Sequence, residues 1–115
     1  MDRKALVREY KESRRPMGVY RIRNLASGRA LIGTSTDLPS ILNRHRAQLR
    51  LNAHPGRALQ ADWNEFGADA FAFEVLDTLQ PPEDMSYDPS EDLRVLEALW
   101  RERLLAENVP SYPAR

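Results

Sequence analysis

Apolar positions along this chain repeat with two different periods. Around residues 18–24 and 29–34 they fall close together: Val19, Tyr20 and Ile22, then Leu31 and Ile32. Asn24, Ser27 and Gly28 lie between the two groups and supply turn chemistry. This predicts two short strands, Gly18–Asn24 and Arg29–Thr34, paired as an antiparallel hairpin. The alternation is imperfect, so the strand reading rests on β-branched content and on the turn signals. From Asp37 the period changes. Leu38, Ile41, Leu42, His45 and Leu49 share one stripe at helical spacing. Asp37 suits an N-cap, and Pro39 suits the first turn. Arg44, Arg46 and Arg50 lie off the stripe. His54-Pro55-Gly56 interrupts the pattern, and Leu59, Trp63 and Phe66 then mark one face of a second helix that stops at Gly67.

The alternation of Phe71–Leu76 predicts a third strand. Residues 80–92 are rich in proline and acid and read as a loop. A last helix follows over about Glu91–Glu107, with Leu93, Leu96, Trp100 and Leu104 on its stripe, and Val109–Pro113 forms an extended tail. At the other end, residues 3–13 carry a thin apolar face (Ala5, Leu6, Val7, Tyr10) and read as a helix ended by Pro16. The order α-β-β-α-α-β-α describes a small α+β domain: a three-stranded antiparallel sheet flanked by helices, plus an N-terminal helix. The expected division is an N-terminal helical arm over 1–15 and one domain over 16–115.

Composition narrows the function classes. With 42% hydrophobic and 30% charged residues, the chain suits a soluble globular fold with a modest core. Having no cysteine, it has neither disulfides nor thiolate metal sites. It contains no apolar run near the roughly 20 residues needed to span a bilayer, and no apolar leader at Met1. A cytoplasmic location is therefore expected. The formal net charge of zero hides an asymmetry. Residues 1–60 hold 13 Lys/Arg against 4 Asp/Glu, a net +9, and residues 61–115 hold the reverse, a net −9. A basic half points to nucleic acid, and mutual attraction of the two halves across the fold explains the same asymmetry.

Four residues have side chains suited to chemistry. His45 interrupts an apolar stripe, either as a hydrogen-bonded core histidine or as an imidazole facing a cleft. His54 sits in a break. Glu97, at the edge of the last helix's buried stripe, needs an arginine or a divalent cation as partner. Tyr20 lies on an arginine-rich strand. Used as a base it needs a depressed pKa, which nearby cations would supply.

In order and spacing these residues resemble the GIY-YIG nuclease superfamily from about Pro16 to Tyr112. Gly18-Val19-Tyr20 is similar to the first triplet, and Leu31-Ile32-Gly33 is a degenerate form of the second. Asp37, Arg44-His45, His54, Leu59-Gln60, Asn64–Gly67, Phe71–Leu76 and Leu96-Glu97 with Trp100 stand where homing-endonuclease-like members carry similar residues. The resemblance implies metal-dependent hydrolysis of a DNA phosphodiester. Tyr20 would activate water, His45 and His54 would assist, and Glu97 would hold Mg²⁺ or Mn²⁺. The chain departs from the pattern at two positions: Leu31 replaces the second-triplet tyrosine, and Ile41 stands at the helix-one arginine position. Losing one such group costs on the order of 10²–10³ in rate.

The expected function is therefore nucleic-acid binding, DNA first and RNA as the alternative, with weak or lost hydrolysis. Arg21, Arg23, Arg46 and Arg50 are the candidate phosphate contacts. One alternative is an active endonuclease rearranged around Arg44. The other is an interaction module that kept only the fold, with residues 3–13 as a docking element in a homodimer.

Overall fold

The computed structural model describes residues 3–6, 15–82 and 86–113. Residues 3–6 are helical, and the remainder of the expected 3–13 helix lies outside the described residues. Three strands form one antiparallel sheet: β1 (Gly18–Asn24), β2 (Ala30–Ser35) and β3 (Phe71–Thr78), in the order β2-β1-β3. The helices are α1 (Leu38–Arg50), α2 (Arg57–Phe66) and α3 (Ser90–Ala106), with a single 3₁₀ turn at Ala68–Ala70.

Side chains on β1 alternate between two cores, as a strand period of two requires. Ile22 packs with Leu31, Leu49, Leu59, Trp63, Phe71 and Tyr112 on the α1/α2 side. Val19 packs with Ile32 and Leu104, supported by Leu76, Leu96 and Trp100, on the α3 side. Ile22, Leu49 and Leu59 are almost completely buried, and each contributes about 1.5–3 kcal/mol by leaving water. Phe66 departs from its expected place on the buried face of α2: it is 44% exposed, at the end of the helix.

The hairpin is built by Asn24. Its Oδ1 accepts hydrogen bonds from the Ala26 and Ser27 amides at 2.9 and 3.2 Å. That turns the chain from β1 into β2, which starts one residue later than the sequence predicts. Asp37 caps α1 by accepting from the Ser40 amide. β3 runs two residues past its expected end, to Thr78.

β2 is one of the two edge strands, and the C-terminal tail covers its beginning. The Ala30 amide donates to Pro110 O (3.0 Å), and the Tyr112 amide donates to Ala30 O (2.9 Å). The Tyr112 hydroxyl donates to Asp62 (2.6 Å), and Asn24 Nδ2 donates to Tyr112 Oη (3.1 Å). The tail therefore blunts the start of an exposed strand edge. The rest of that edge borders the cleft described next. No helix among the described residues is long and apolar enough to cross a membrane.

Candidate functional site

Beyond the tail, α1 and α3 flank the free part of β2. Between them opens a cleft of about 420 Å³. Tyr20, Gly33, Arg44, His45, His54, Glu97 and Arg101 line it, together with Leu31 and Ile41. Chain topology thus gathers all five residues expected to perform or assist chemistry: Tyr20 from β1, Arg44 and His45 from α1, His54 from the α1–α2 connection, and Glu97 from α3.

Three of them form a hydrogen-bonded series. Tyr20 Oη lies 2.8 Å from His45 Nε2, and His45 Nδ1 lies 2.8 Å from His54 Nε2. The Gly56 amide donates to His54 Nδ1 at 2.8 Å. A main-chain N–H can only donate, so the partners assign the tautomers. Neutral His54 carries its proton on Nε2 and donates it to His45 Nδ1. Neutral His45 then carries its proton on Nε2 and donates to Tyr20 Oη. The tyrosine oxygen is an acceptor here, and its own O–H is left for the cleft.

Burial favours these neutral forms. It pushes the His45 pKa down to about 4, with the neighbouring His54 and Arg44 adding to the effect. Burial also lowers the His54 pKa. His54 is 9% exposed, so its imidazole is buried although it lies in a break between helices. Gln60 pins it: Gln60 Oε1 accepts from the His54 amide at 3.1 Å, and Gln60 Nε2 donates to Leu49 O at 3.0 Å.

The expectation of a depressed Tyr20 pKa is overturned. Burial raises it, the Glu97 charge raises it further, and Arg101 opposes the rise. Arg21 and Arg23 do not help. They follow Tyr20 at odd spacing and so point to the α3 side of the sheet. Glu74 pairs with both, at 3.2 Å from Arg21 and 3.0 Å from Arg23. Arg29 pairs with Asp62 at 3.7 Å. These three contacts join the basic half of the chain to the acidic half, and so account for part of the charge asymmetry. On α1, Arg46 lies over the Phe73 ring at 4.4 Å, and Arg50 is exposed. Neither lines the cleft.

Glu97 has an arginine as its partner. Its Oε1 accepts from Arg101 Nε (2.9 Å) and Nη2 (2.7 Å), and Arg101 Nη2 also donates to Ile32 O (3.0 Å). No group of three His, Cys, Asp or Glu able to hold a metal occurs among the described residues. A hard dication accepts one or two carboxylates with water and phosphate oxygens. Here Arg101 engages Glu97 Oε1, and this one carboxylate of the cleft would hold Mg²⁺ or Mn²⁺ only together with water and phosphate oxygens. Arg101 was missed in the sequence, although Glu97 and Arg101 stand at the i, i+4 spacing that pairs charges on one helix face.

No family model matches the chain, and no curated protein matches it. Solved structures do. A mutant of the catalytic domain of intron endonuclease I-TevI superposes with a TM-score of 0.67 at 20% identity, covering 87% of this chain and 94% of that one. The catalytic domain of homing endonuclease I-TevI gives a TM-score of 0.62 at 21% identity, covering 82% and 94%. This chain therefore has the fold of the I-TevI catalytic domain, the α+β fold that its resemblance to the GIY-YIG nuclease superfamily implies.

Proposed function

We propose that this protein binds nucleic acid, DNA first, by seating a backbone phosphate in the cleft, and that it hydrolyses the phosphodiester weakly or not at all. The observation that carries this reading is the series from the Gly56 amide through His54 and His45 to Tyr20. It aims a polar hydroxyl at a cleft whose opposite wall holds Glu97 and Arg101. The shared fold with an endonuclease catalytic domain supports the substrate class.

The same geometry argues for low turnover. With its pKa raised, Tyr20 is a phenol at neutral pH and a poor base. It can donate a hydrogen bond to a phosphoryl oxygen while His45 steadies its oxygen. Leu31 and Ile41 face the cleft with hydrocarbon, which cannot stabilise charge developing on phosphorus.

An intact series of three polar groups favours the second reading, an active endonuclease. Arg44 lines the cleft and would stand in for the missing cation. One experiment separates the two. Supercoiled plasmid is incubated with pure protein and Mg²⁺ or Mn²⁺, and labelled duplex is titrated in EDTA across a range of salt. Binding in EDTA that weakens steeply with salt, with little or no nicking, is the expected result. Metal-dependent nicking abolished by Tyr20→Phe and by Arg44→Ala establishes the active enzyme. Absence of any DNA or RNA shift at low salt removes both.

A further inference from the structure

We propose that Arg101 is the phosphate-binding guanidinium of the cleft, and that Glu97 serves to aim it. The proposal rests on reading the cleft as a phosphodiester site. Both positions where the resemblance leads one to expect a polar group on the β2 and α1 walls are hydrocarbon, Leu31 and Ile41. Arg44 also lines the cleft, but it is exposed, and no hydrogen bond or ion pair fixes it among the described residues. Arg101 approaches from the opposite wall and is fixed at three points: Glu97 Oε1 twice and Ile32 O once.

The third contact matters most. Surface pairs at i, i+4 are common and contribute little. The bond to Ile32 O leaves the helix and reaches the strand edge. Ala30 O and the Ala30 amide face that edge, because the tail pairs with both. Ile32, two residues on, presents its carbonyl to the same side. Arg101 thus continues along the edge that the tail begins, and its planar head is held against a strand. Its Nη1 hydrogens take no part in these bonds. The side chain is 46% exposed, so an anion can reach them. Its charge is felt at Tyr20, across the cleft. A guanidinium already ordered loses little freedom when a phosphate arrives.

The test uses the full chain in EDTA, with inorganic phosphate and a labelled DNA duplex as separate probes. Arginine side-chain ¹⁵N signals are followed during a phosphate titration, with Arg101 identified by its loss in Arg101→Lys. The Arg101 signal is expected to shift saturably. That of Arg103, which pairs with Glu107 on the same helix, stays unchanged. Arg101→Ala is expected to weaken duplex binding on the order of tenfold, a loss typical of one charged hydrogen bond. Arg101→Lys restores part of it, because a point charge keeps attraction without the fork. A saturable phosphate shift without duplex binding upholds the anion seat and removes the nucleic-acid reading. An unmoved Arg101 signal across the phosphate titration overturns the proposal. So does duplex affinity that Arg101→Ala, folded by thermal melting, leaves within about twofold of the parent.

Discussion

Gly33→Ala tests how the Tyr20 ring is held. Gly33 lies opposite Tyr20 in the β1–β2 register, and the ring crosses directly over it. A Cβ at Gly33 would lie 2.4 Å from Tyr20 Oη, 2.6 Å from Cζ and 2.9 Å from Cε1. Carbon atoms in contact sit near 3.5–4.0 Å apart, so the ring must move by about an ångström. It is 6% exposed and anchored to His45 at 2.8 Å, so moving it breaks that bond. A half-buried His45 N–H is then left without its acceptor. Either the strain of overpacking or the orphaned donor costs about 1–3 kcal/mol. A domain of 115 residues loses roughly 4 °C per kcal/mol, so the melting temperature should fall by about 4–12 °C.

The decisive measurement is a double-mutant cycle by urea denaturation. Leucine has no atoms corresponding to Oη, Cζ or Cε1, so Tyr20→Leu removes the obstacle while keeping bulk. In that background Gly33→Ala should be neutral, or stabilising by a few tenths of a kcal/mol, because glycine is unfavourable inside a strand. The expected coupling is about 1–3 kcal/mol. A Gly33→Ala penalty of the same size in both backgrounds refutes the argument: it would mean that Gly33 is required for a backbone reason unrelated to Tyr20.

Three further predictions follow from other contacts. Tyr112→Phe removes the hydroxyl that Asp62 and Asn24 share; denaturant unfolding should show a loss of about 1–3 kcal/mol, and amide exchange at Ala30 and Tyr112 should quicken. The His45 pKa is lowered on folding to about 4, so stability from this group is complete above its unfolded value near 6.5 and is lost as pH falls towards 4; melting temperatures of the parent should drop across that window more steeply than those of His45→Asn, and equal slopes count against the buried neutral pair. Arg50→Gln on exposed α1 should flatten the salt dependence of duplex binding by about 0.9 in log–log slope, whereas Arg23→Gln, already held by Glu74, should leave it unchanged.

The secondary structure was legible because its signals are local. Asp37 caps α1 where expected, and Asn24 makes the hairpin turn. The glycines of the two triplets are also explained by space: a Cβ on Gly18 would lie 2.0 Å from Asp77 O on β3, as one on Gly33 would strike Tyr20. What the sequence did not reveal depends on partners far apart along the chain. Arg101 and Ile32 are 69 residues apart. The pairing of Arg21 and Arg23 with Glu74 depends on the β1–β3 register, which no local pattern encodes. Arginine-rich surroundings suggested a depressed Tyr20 pKa, but alternation sends those cations to the other face of the sheet, and burial prevails.

The placement of Arg101 changes what the missing residues mean. Leu31 and Ile41 place hydrocarbon on the β2 and α1 walls, at the two positions where the resemblance implies polar groups. Glu97, however, pairs with a cation of its own helix. The cation that hydrogen bonds hold in place therefore stands on α3, on the wall opposite His45. A phosphate drawn there would lie between Arg101 and the free O–H of Tyr20, a donor on each side. Two donors favour holding an anion, whereas hydrolysis also requires a base to take a proton from water. His45 offers none in this tautomer, since its Nε2 proton already points at Tyr20 and its Nδ1 accepts from His54. The hydrogen-bond direction set by a single backbone amide, that of Gly56, thus favours binding over cleavage.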